Sequence, residues 1–431
     1  MKFYSLGNTT SHVDFKTATL KGQAEDKGLY FPATIPVLPS HFFQQIESYS
    51  KEEIAFTVMK SYLENVLPPK VLQNILEETI NFKFPLVPVT GNIFSLELFH
   101  GPTMAFKDVG ARFMSRCLRY FAENLTKKIT VLVATSGDTG GAVAHGFYEV
   151  EGVDVVILYP SGKVSSIQEL QLTTLGKNIF ALEVDGNFDD CQQLVKQAFS
   201  DKDLNEKLIL TSANSINVAR WLPQQLYYFF AYQQWNDKTN PPVFSVPSGN
   251  FGNVAAGLLA YKSGLPVSKF IAACNENDVV PRFLKTGNYE PKKAIATLSN
   301  AMDVGDPSNF IRILELFEKD YEQLKNILVS YVISDVETKE TIKQVYKQYN
   351  YLMDPHGAVG FAALEKYIQQ HSQQKGIFLE TAHHLKFYEL IEKIIEKNIH
   401  SDQIEKLLKK NKSSVLMKAD YQIIKEFLLS K

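Results

Sequence analysis

A lysine within an apolar stretch is the first candidate for chemistry in this chain. Residues 99–108 read FHGPTMAFKD and place Lys107 just after a Pro-Thr pair, where a helix can begin. An amine among apolar groups is poorly solvated, which lowers its pKa and makes it a nucleophile toward an aldehyde. The alternative is an ordinary lysine near a helix start, with its ammonium reaching solvent.

Two turns of small residues are candidates for binding anions. Residues 134–141 read ATSGDTGG and residues 246–253 read VPSGNFGN, and each lies between an apolar run and a helical pattern. Such a turn directs backbone N–H groups at a carboxylate or phosphate, and the helix dipole favours the negative charge. Neither turn has the dinucleotide or Walker signature. A plain strand-to-helix turn, capped by Ser or Asp, is the alternative for both.

Short apolar runs alternating with helical patterns must position these residues. Such an alternation predicts βαβ units and parallel sheets, here in two α/β lobes that each carry one glycine-rich turn. Ligands bind beyond the carboxyl ends of the strands in such sheets. Helical spacing is also predicted over 51–80 and 217–235, and the tail from residue 386 is predicted as surface-packed helices. The apolar runs are 129–134, 153–159, 179–184, 243–246, 270–274, 327–333 and 377–379.

Composition excludes several classes of protein. The 431 residues suggest about three domains. Lys and Arg total 45 against 47 Asp and Glu, a balance that argues against a nucleic-acid-binding footprint. We expect no membrane partner, because no run is long and apolar enough to span a bilayer and no secretory core begins the sequence. Three scattered cysteines and nine histidines lack metal-ligand spacing, so we expect no metal and a reducing, cytoplasmic location.

A reactive lysine with two anion-binding turns suits pyridoxal phosphate, and the motifs together resemble the threonine synthase family of the long bacterial and fungal type. That family belongs to the fold-type II pyridoxal-phosphate enzymes, the tryptophan synthase β-subunit group. The resemblance implies two parallel-sheet α/β lobes and an N-terminal mixed segment. It extends over nearly the whole chain, through residues 28–32, 99–108, 135–140, 162–163, 214–217, 245–253, 300–304 and 381–383.

The resemblance implies a cofactor, pyridoxal 5'-phosphate, and roles for individual residues. Lys107 would bind the cofactor covalently and later move protons, and Thr381 would be the hydroxyl partner of the pyridine nitrogen. The cofactor phosphate would be held by Gly249, Asn250, Phe251, Gly252 and Asn253. The substrate would be bound by Ser136, Gly137, Asp138, Thr139, Lys163 and Asn214, with Lys163 a hypothetical partner of its phosphate.

The implied reaction converts O-phospho-L-homoserine and water to L-threonine and phosphate by γ-elimination and β-addition, as in a lyase of threonine biosynthesis. Asp138 favours this reaction, since cysteine synthases of the same group usually have Asn there. Gly141 and the pair His384-Leu385 depart from the commoner residues, which bears on fine specificity. A threonine or serine dehydratase, a cysteine synthase and a non-catalytic cofactor-binding homologue remain alternatives.

The domain limits that we predict are 1–85 for an N-terminal domain and 112–220 for a small α/β domain. A large cofactor-binding domain takes 86–111 and 221–431. The sequence leaves open whether the chain is a monomer or a homo-oligomer.

Overall fold

The computed structural model describes residues 1–7, 10–123, 125–135 and 137–431, with only the backbone at Gln403. Its strands are β1 (Phe3–Ser5), β2 (His12–Val13), β3 (Tyr30–Pro32), β4 (Leu86–Pro88), β5 (Ile93–Glu97), β6 (Ile129–Ala134), β7 (Val153–Pro160), β8 (Ile179–Asp185), β9 (Ile209–Ser212), β10 (Val243–Pro247), β11 (Lys269–Cys274), β12 (Leu328–Val332), β13 (Gly376–Glu380) and β14 (Val415–Lys418).

The helices follow the strands in most of the chain. They are α1 (Phe15–Lys21), α2 (Ser40–Gln44), α3 (Lys51–Leu63), α4 (Pro69–Thr79), α5 (Lys107–Ala122), α6 (Asp138–Phe147), α7 (Ser166–Thr173), α8 (Phe188–Ser200), α9 (Lys202–Lys207), α10 (Val218–Trp221), α11 (Leu226–Gln234), α12 (Gly252–Lys262), α13 (Val279–Thr286), α14 (Phe310–Leu316), α15 (Tyr321–Ile327), α16 (Asp335–Tyr349), α17 (Pro355–Gln370), α18 (Tyr388–Ile395), α19 (Asp402–Leu408) and α20 (Tyr421–Leu429). Short 3₁₀ turns lie at Ile46–Ser48, Leu222–Gln225, Asn300–Met302 and His384–Phe387.

A six-stranded sheet forms the larger lobe, in the order β12-β11-β10-β13-β5-β4. Its neighbours run parallel except β4, which pairs antiparallel with β5 at one edge. The central strands β10 and β13 are buried along their whole length, as expected for a parallel sheet covered on both faces. Helix α17 packs on this sheet and is buried over most of its length.

A five-stranded, wholly parallel sheet forms the second lobe, in the order β14-β8-β7-β6-β9. The prediction of two parallel α/β lobes is confirmed, and the bounds of β6 agree with the apolar run at 129–134. The N-terminal segment forms an antiparallel sheet in the order β2-β1-β3. This sheet and helices α3 and α4 share one large hydrophobic core with both lobes.

The tail departs from the prediction of helices alone. Strand β14 pairs in parallel with β8, and Met417 is buried with Ile424 and Leu428 against the second lobe. Its outer residues Val415 and Leu416 are exposed, so only one of the three apolar side chains from 415 to 417 is buried. Strand pairing of this kind depends on a distant partner, which a local helical pattern does not reveal. The predicted domain limits stay a prediction.

Prolines divide two of the predicted helices. The pattern over 51–80 becomes α3 and α4, separated at Pro68 and Pro69, and the pattern over 217–235 becomes α10, a 3₁₀ turn and α11. Pro223 lies at the start of that 3₁₀ turn. Proline lacks the N–H that an α-helix needs and its ring clashes with the preceding turn, so each helix is interrupted there.

Among the described residues, no helix combines the length and the apolar character that a membrane crossing requires.

Candidate active site

The carboxyl edges of the two sheets carry the predicted site residues. Lys107 follows β5, the turn at 249–253 follows β10 and Thr381 follows β13, and these three strands run parallel in one sheet. In the second sheet the turn at 135–139 follows β6, Lys163 follows β7 and Asn214 follows β9. Since ligands bind beyond the carboxyl ends of such strands, the topology places both groups where a ligand site is expected.

Lys107 is the first residue of α5, and the loop before it is held by a buried carboxylate. Asp108 accepts hydrogen bonds from the backbone N–H of Thr103 at 2.9 Å and from its hydroxyl at 2.5 Å. Asp108 and Thr103 are both buried. Burial raises the pKa of the Asp108 carboxyl, while these two hydrogen bonds oppose the rise. These hydrogen bonds therefore fix the backbone from which the Lys107 side chain extends.

The amine of Lys107 lies in surroundings that favour its neutral form. Burial is the main cause of its lowered pKa, and the cations Lys386 and Arg220 add to the effect. Asp138 acts in the opposite direction. The side chain remains partly accessible, and its Nζ forms no hydrogen bond or ion pair with a described residue. An unpaired, poorly solvated amine is what reaction with an aldehyde requires.

Thr381 is tied directly to the lysine loop. The backbone N–H of Phe106 donates to the carbonyl of Thr381 at 2.8 Å, and Ala105 forms an isolated bridge with Ala382. The hydroxyl of Tyr227 donates to the carbonyl of Phe106. The Thr381 hydroxyl itself makes no hydrogen bond to a described residue, so it can serve a ligand.

The turn after β10, residues 249–253, is called the glycine cradle below. None of its backbone N–H groups donates a hydrogen bond to another described residue, although the neighbouring Ser248 N–H is bonded to Ala273. Phe251 has φ of 61°, which is left-handed, and caps α12. Successive N–H groups in such a turn at a helix start form an anion-binding nest. The cradle therefore fits a phosphate group.

Close packing explains the first glycine of the cradle. A Cβ on Gly249 would lie 2.5 Å from the Cα of Met302 and 3.0 Å from the carbonyl oxygen of Ala301. Backbone atoms cannot move aside as the end of a flexible side chain can. The cradle and the Asn300–Met302 turn can therefore only pack together if residue 249 has no side chain.

The side chains of the cradle hold it to its neighbours. Asn250 donates to the hydroxyl of Ser215 at 3.0 Å, and its Oδ1 accepts from the N–H and hydroxyl of Ser308. Asn253 accepts at Oδ1 from the hydroxyl of Tyr228 at 2.9 Å. The Nδ2 of Asn253 is buried without a partner among the described residues, which leaves one more donor for a ligand. These side chains leave the backbone N–H groups free.

The turn after β6, residues 135–139, is called the Asp138 turn below. Gly137 has φ of 140° and lies so close to Gln168 that a Cβ would meet its amide carbon at 2.5 Å. The hydroxyl of Thr135 accepts from the N–H groups of Gly137 and Gly140. The N–H groups of Asp138 and Thr139 donate to no described residue. Ser136, which was predicted to bind substrate, lies outside the described residues.

A buried ion pair occupies the centre of the Asp138 turn. The Nζ of Lys386 lies 2.6 Å from Asp138 Oδ1 and donates to the carbonyl of Thr103 at 3.0 Å. Gln168 donates to the same oxygen of Asp138 at 2.9 Å. Burial alone would raise the pKa of the Asp138 carboxyl, but Lys386 and Lys107 hold it well below its usual value. Asp138 is therefore ionised, and its charge is neutralised by Lys386.

The remaining predicted substrate residues lie at the same edge with different surroundings. Lys163 is exposed, and its side chain makes no hydrogen bond or ion pair with a described residue. The Oδ1 of Asn214 is buried without a partner among the described residues, so an acceptor is left for a ligand. Both roles remain predictions.

Sequence reasoning missed Lys386 and Gln168. Lys386 belongs to the Lys- and Glu-rich tail, whose composition indicates solvated helices, yet it is buried in the His384–Phe387 turn. Its proximity in sequence to Thr381 is the one available signal. Gln168 completes a capping box with Ser165 at the start of α7, a pattern that indicates a helix rather than a ligand site.

The assembled groups fit pyridoxal phosphate. Lys107 offers an amine for an aldehyde, the glycine cradle offers unbonded N–H groups for a phosphate, and Thr381 offers a hydroxyl at the same sheet edge. No charged side chain is part of the cradle itself, so its donors for the phosphate are the backbone N–H groups and the amide of Asn253. This set of donors matches the three polar parts of the cofactor.

Known proteins resemble this chain over its whole length. The family of pyridoxal-phosphate dependent enzymes matches residues 85–379, and the threonine synthase N terminus and C-terminal families match 2–80 and 357–428. A threonine synthase of Haemophilus influenzae is 43% identical over 433 residues, covering 100% of both chains.

Two solved structures have the same fold. The crystal structure of threonine synthase from Escherichia coli superimposes with a TM-score of 0.93 at 41% identity, covering 100% of both chains. The crystal structure of threonine synthase from Brucella melitensis with bound pyridoxal phosphate gives a TM-score of 0.92 at 32% identity, covering 99% of this chain and 98% of that one. The chain therefore belongs to the threonine synthase family, a group of pyridoxal-phosphate-dependent lyases of fold-type II, and its cofactor is pyridoxal 5'-phosphate.

Proposed function

We propose that this enzyme converts O-phospho-L-homoserine and water to L-threonine and phosphate, with the glycine cradle for the cofactor phosphate and the Asp138 turn for the substrate. The observation that carries the proposal is that two strand-to-helix turns contain backbone N–H groups with no acceptor among the described residues, at sheet edges that also carry an amine with no hydrogen bond or ion pair to a described residue. The N–H groups of the cradle, which donate to no described residue, can bind one phosphate. The second turn begins α6 and faces Lys107 closely enough for Asp138 to act on its charge.

Lys107 is the residue to which we assign the proton transfers. Burial lowers its pKa, so the amine is more readily neutral near pH 7 and able to accept a proton. It removes the α proton of the substrate and then a β proton, and it returns a proton before the product leaves. Bound pyridoxal phosphate supplies the electron-withdrawing ring that stabilises negative charge at the reacting carbons.

The Asp138 turn is assigned to the substrate carboxylate. The N–H groups of Asp138 and Thr139 at the start of α6 donate to no described residue, and a helix N-terminus favours an anion. The ionised side chain of Asp138 would repel that carboxylate, but the ammonium of Lys386 neutralises it. Gly137 belongs to the same turn, and Ser136 is assigned to the substrate from the sequence alone. The amide oxygen of Asn214, which has no partner among the described residues, is an acceptor for the substrate.

The leaving phosphate of the substrate requires a second cationic or N–H-rich site. Lys163 is assigned this role because it follows β7, at the edge where β6 and β9 end. It is exposed, so it would have to turn inward when substrate binds and water is excluded. The water that attacks the β carbon must be excluded until that carbon is electrophilic, and closure of the two lobes would achieve this.

The test compares three substrates with the same holoenzyme. We expect phosphate and threonine to be released from O-phosphohomoserine, with little cysteine formed from O-acetylserine and sulfide and little 2-oxobutyrate formed from threonine. A dehydratase would instead form 2-oxobutyrate, a cysteine synthase would form cysteine, and a non-catalytic homologue would form none of the products. The assay thus separates the proposed reaction from the alternatives within the fold.

We place the reaction in the cytoplasm. Cys117, Cys191 and Cys274 are all buried free thiols, which suits a reducing compartment.

A further inference from the structure

Lys386 joins the two parts of the active site, and the proposed reaction does not use it as a substrate ligand. Its ammonium lies between Asp138 Oδ1 at 2.6 Å and the carbonyl of Thr103 at 3.0 Å, and both Lys386 and Asp138 are buried. Asp138 begins α6 in the second lobe, whereas Thr103 belongs to the loop that leads to Lys107. One buried cation thus connects the two segments that must meet around the substrate.

The contacts around this cation hold it in place. Gln168 donates to Asp138 at 2.9 Å, and Gln171 donates to the carbonyl of Thr103 at 3.1 Å, so α7 contacts the same two acceptors. Asp108 fixes Thr103 from the other side. A buried ammonium and carboxylate are stable together only with such additional hydrogen bonds.

We propose that Lys386 is a positioning residue that favours the neutral form of the Lys107 amine by holding the Asp138 carboxylate paired with itself. The charged groups that act on Lys107 are Asp138 from α6, Lys386 from the turn after β13, and Arg220 from α10. A carboxylate paired with Lys386 attracts a proton to Lys107 less strongly than an unpaired one. The cation of Lys386 also repels a proton from Lys107 directly.

The proposal applies to the first step that requires a neutral amine, the uptake of cofactor. The Nζ lone pair attacks the aldehyde carbon of pyridoxal phosphate, a carbon–nitrogen double bond replaces the carbon–oxygen double bond, and one water leaves. A protonated Lys107 has no lone pair for this attack. The pH midpoint of cofactor uptake by the apoprotein therefore reports the charge balance around Lys107.

The experiment measures the rate of pyridoxal phosphate uptake by apoprotein from about pH 5 to 9, by absorbance of the protein-bound cofactor. In Lys386→Met the unpaired Asp138 should raise the midpoint by about one pH unit or more, as expected for a carboxylate close to an amine. Asp138→Asn removes the anion and should lower the midpoint. The double variant Lys386→Met/Asp138→Asn should return close to the wild type, and Lys386→Arg should keep the wild-type midpoint.

The matched control is Lys366→Met. Lys366 also pairs with a carboxylate at 2.6 Å, Glu337, but this pair is half-exposed and lies on α16 and α17. The Lys366→Met variant should leave the pH midpoint of cofactor uptake unchanged. Far-UV circular dichroism and the Tm of each apoprotein establish that the variants fold.

Several results would overturn the proposal. If Lys386→Met takes up cofactor more slowly by the same factor at every pH, Lys386 only holds the two segments together and does not affect the protonation of Lys107. If Lys386→Met does not fold, Asp138→Asn still decides, because an unchanged or raised midpoint contradicts the proposal. The inference rests on Lys107 as the cofactor lysine. A wild-type protein that takes up no cofactor would remove the proposed function as well, whereas a normal wild type with unshifted variants removes the inference alone.

Discussion

The glycine cradle and the Asp138 turn are both strand-to-helix turns, yet they prepare for an anion in different ways. The N–H groups of residues 249–253 in the cradle donate to no described residue, and the cradle contains no charged side chain. In the Asp138 turn, the N–H groups of Gly137 and Gly140 donate to the hydroxyl of Thr135. This turn also contains a buried carboxylate paired with Lys386. One turn fits an anion through local backbone geometry, and the other becomes compatible with an anion only through a residue distant in sequence.

This difference suits the two turns to different tasks, one to hold a bound group and the other to take part in the reaction. A phosphate that stays bound through every turnover needs a fixed set of donors, which backbone N–H groups supply. A turn beside the reacting carbons must also control protons, which requires titratable groups whose charges are balanced. The ion pair of Asp138 and Lys386 gives the second turn this property, and each variant below disturbs one side of the comparison.

Lys107→Ala should have the largest effect on activity, because we assign both the attachment of the cofactor and the proton transfers to this amine. We expect the loss of phosphate release from O-phosphohomoserine to reach about 10³-fold or more, since general acid–base catalysis by one group contributes about 10²–10⁴-fold and covalent attachment of cofactor is also lost. Phosphate release and the absorbance band of bound cofactor are the measurements. Retention of that band together with substantial activity would contradict the assignment of Lys107.

Asp138→Asn should have the next largest effect, on stability. It leaves the buried Lys386 without its anion, and breaking such a pair costs about 3–5 kcal/mol at neutral pH. The pKa of Asp138 is lower in the folded protein than in the unfolded chain, so its stabilisation is present above about pH 4 and is lost as the pH falls. The gap in unfolding free energy between wild type and variant should therefore narrow below about pH 4.

Urea unfolding of the apoproteins at several pH values measures that gap. A gap that stays constant from neutral to acid pH would show that Asp138 is not the group that titrates. Asp203→Asn is a suitable control, because Asp203 forms its ion pairs with Lys207 and Lys425 at the surface. Exposed pairs of this kind contribute at most about 1 kcal/mol.

Gly249→Ala tests the glycine cradle, the turn that depends on backbone geometry. The new Cβ would lie 2.5 Å from the Cα of Met302 and force the cradle away from that turn. Overpacking of this kind costs about 1–3 kcal/mol, so the Kd for pyridoxal phosphate should rise about 10- to 100-fold. Gly91→Ala is the matched control, since a Cβ there meets nothing within 4 Å. Equal cofactor affinity in both variants would refute the tight-packing argument.

Lys163→Ala should have the smallest effect and sharpens the account of the second turn. If Lys163 binds the substrate phosphate, its removal should raise the KM for O-phosphohomoserine several-fold. The effect is modest because Lys163 is exposed without substrate, and ordering its side chain offsets much of the energy of the new contact. Uptake of pyridoxal phosphate should not change. An unchanged KM would remove Lys163 from the site and leave the substrate phosphate to other groups.

Much of the candidate site could be predicted because its motifs are local. Glycines at 249 and 252 after an apolar run predict a strand, a tight turn and a helix, and the structure has β10, the cradle and α12 in that order. Lys107 was predicted from its apolar neighbours in the chain, and burial is the main cause of its lowered pKa. The division of the helix at Pro223 follows from proline chemistry, although the apolar pattern over 217–235 indicates one continuous helix.

The sequence by itself determined strands β6–β8 and β10–β13, the turns that follow them and the residue types that chemistry needs, because these depend on neighbours within a few positions. The tertiary structure alone decided which distant groups meet. It brought Lys386 from the tail to Asp138, paired β14 with β8, and set Thr381 against the loop of Lys107. The charge balance at a buried site depends on every group within a few ångströms, and proximity in space is a property of the whole fold.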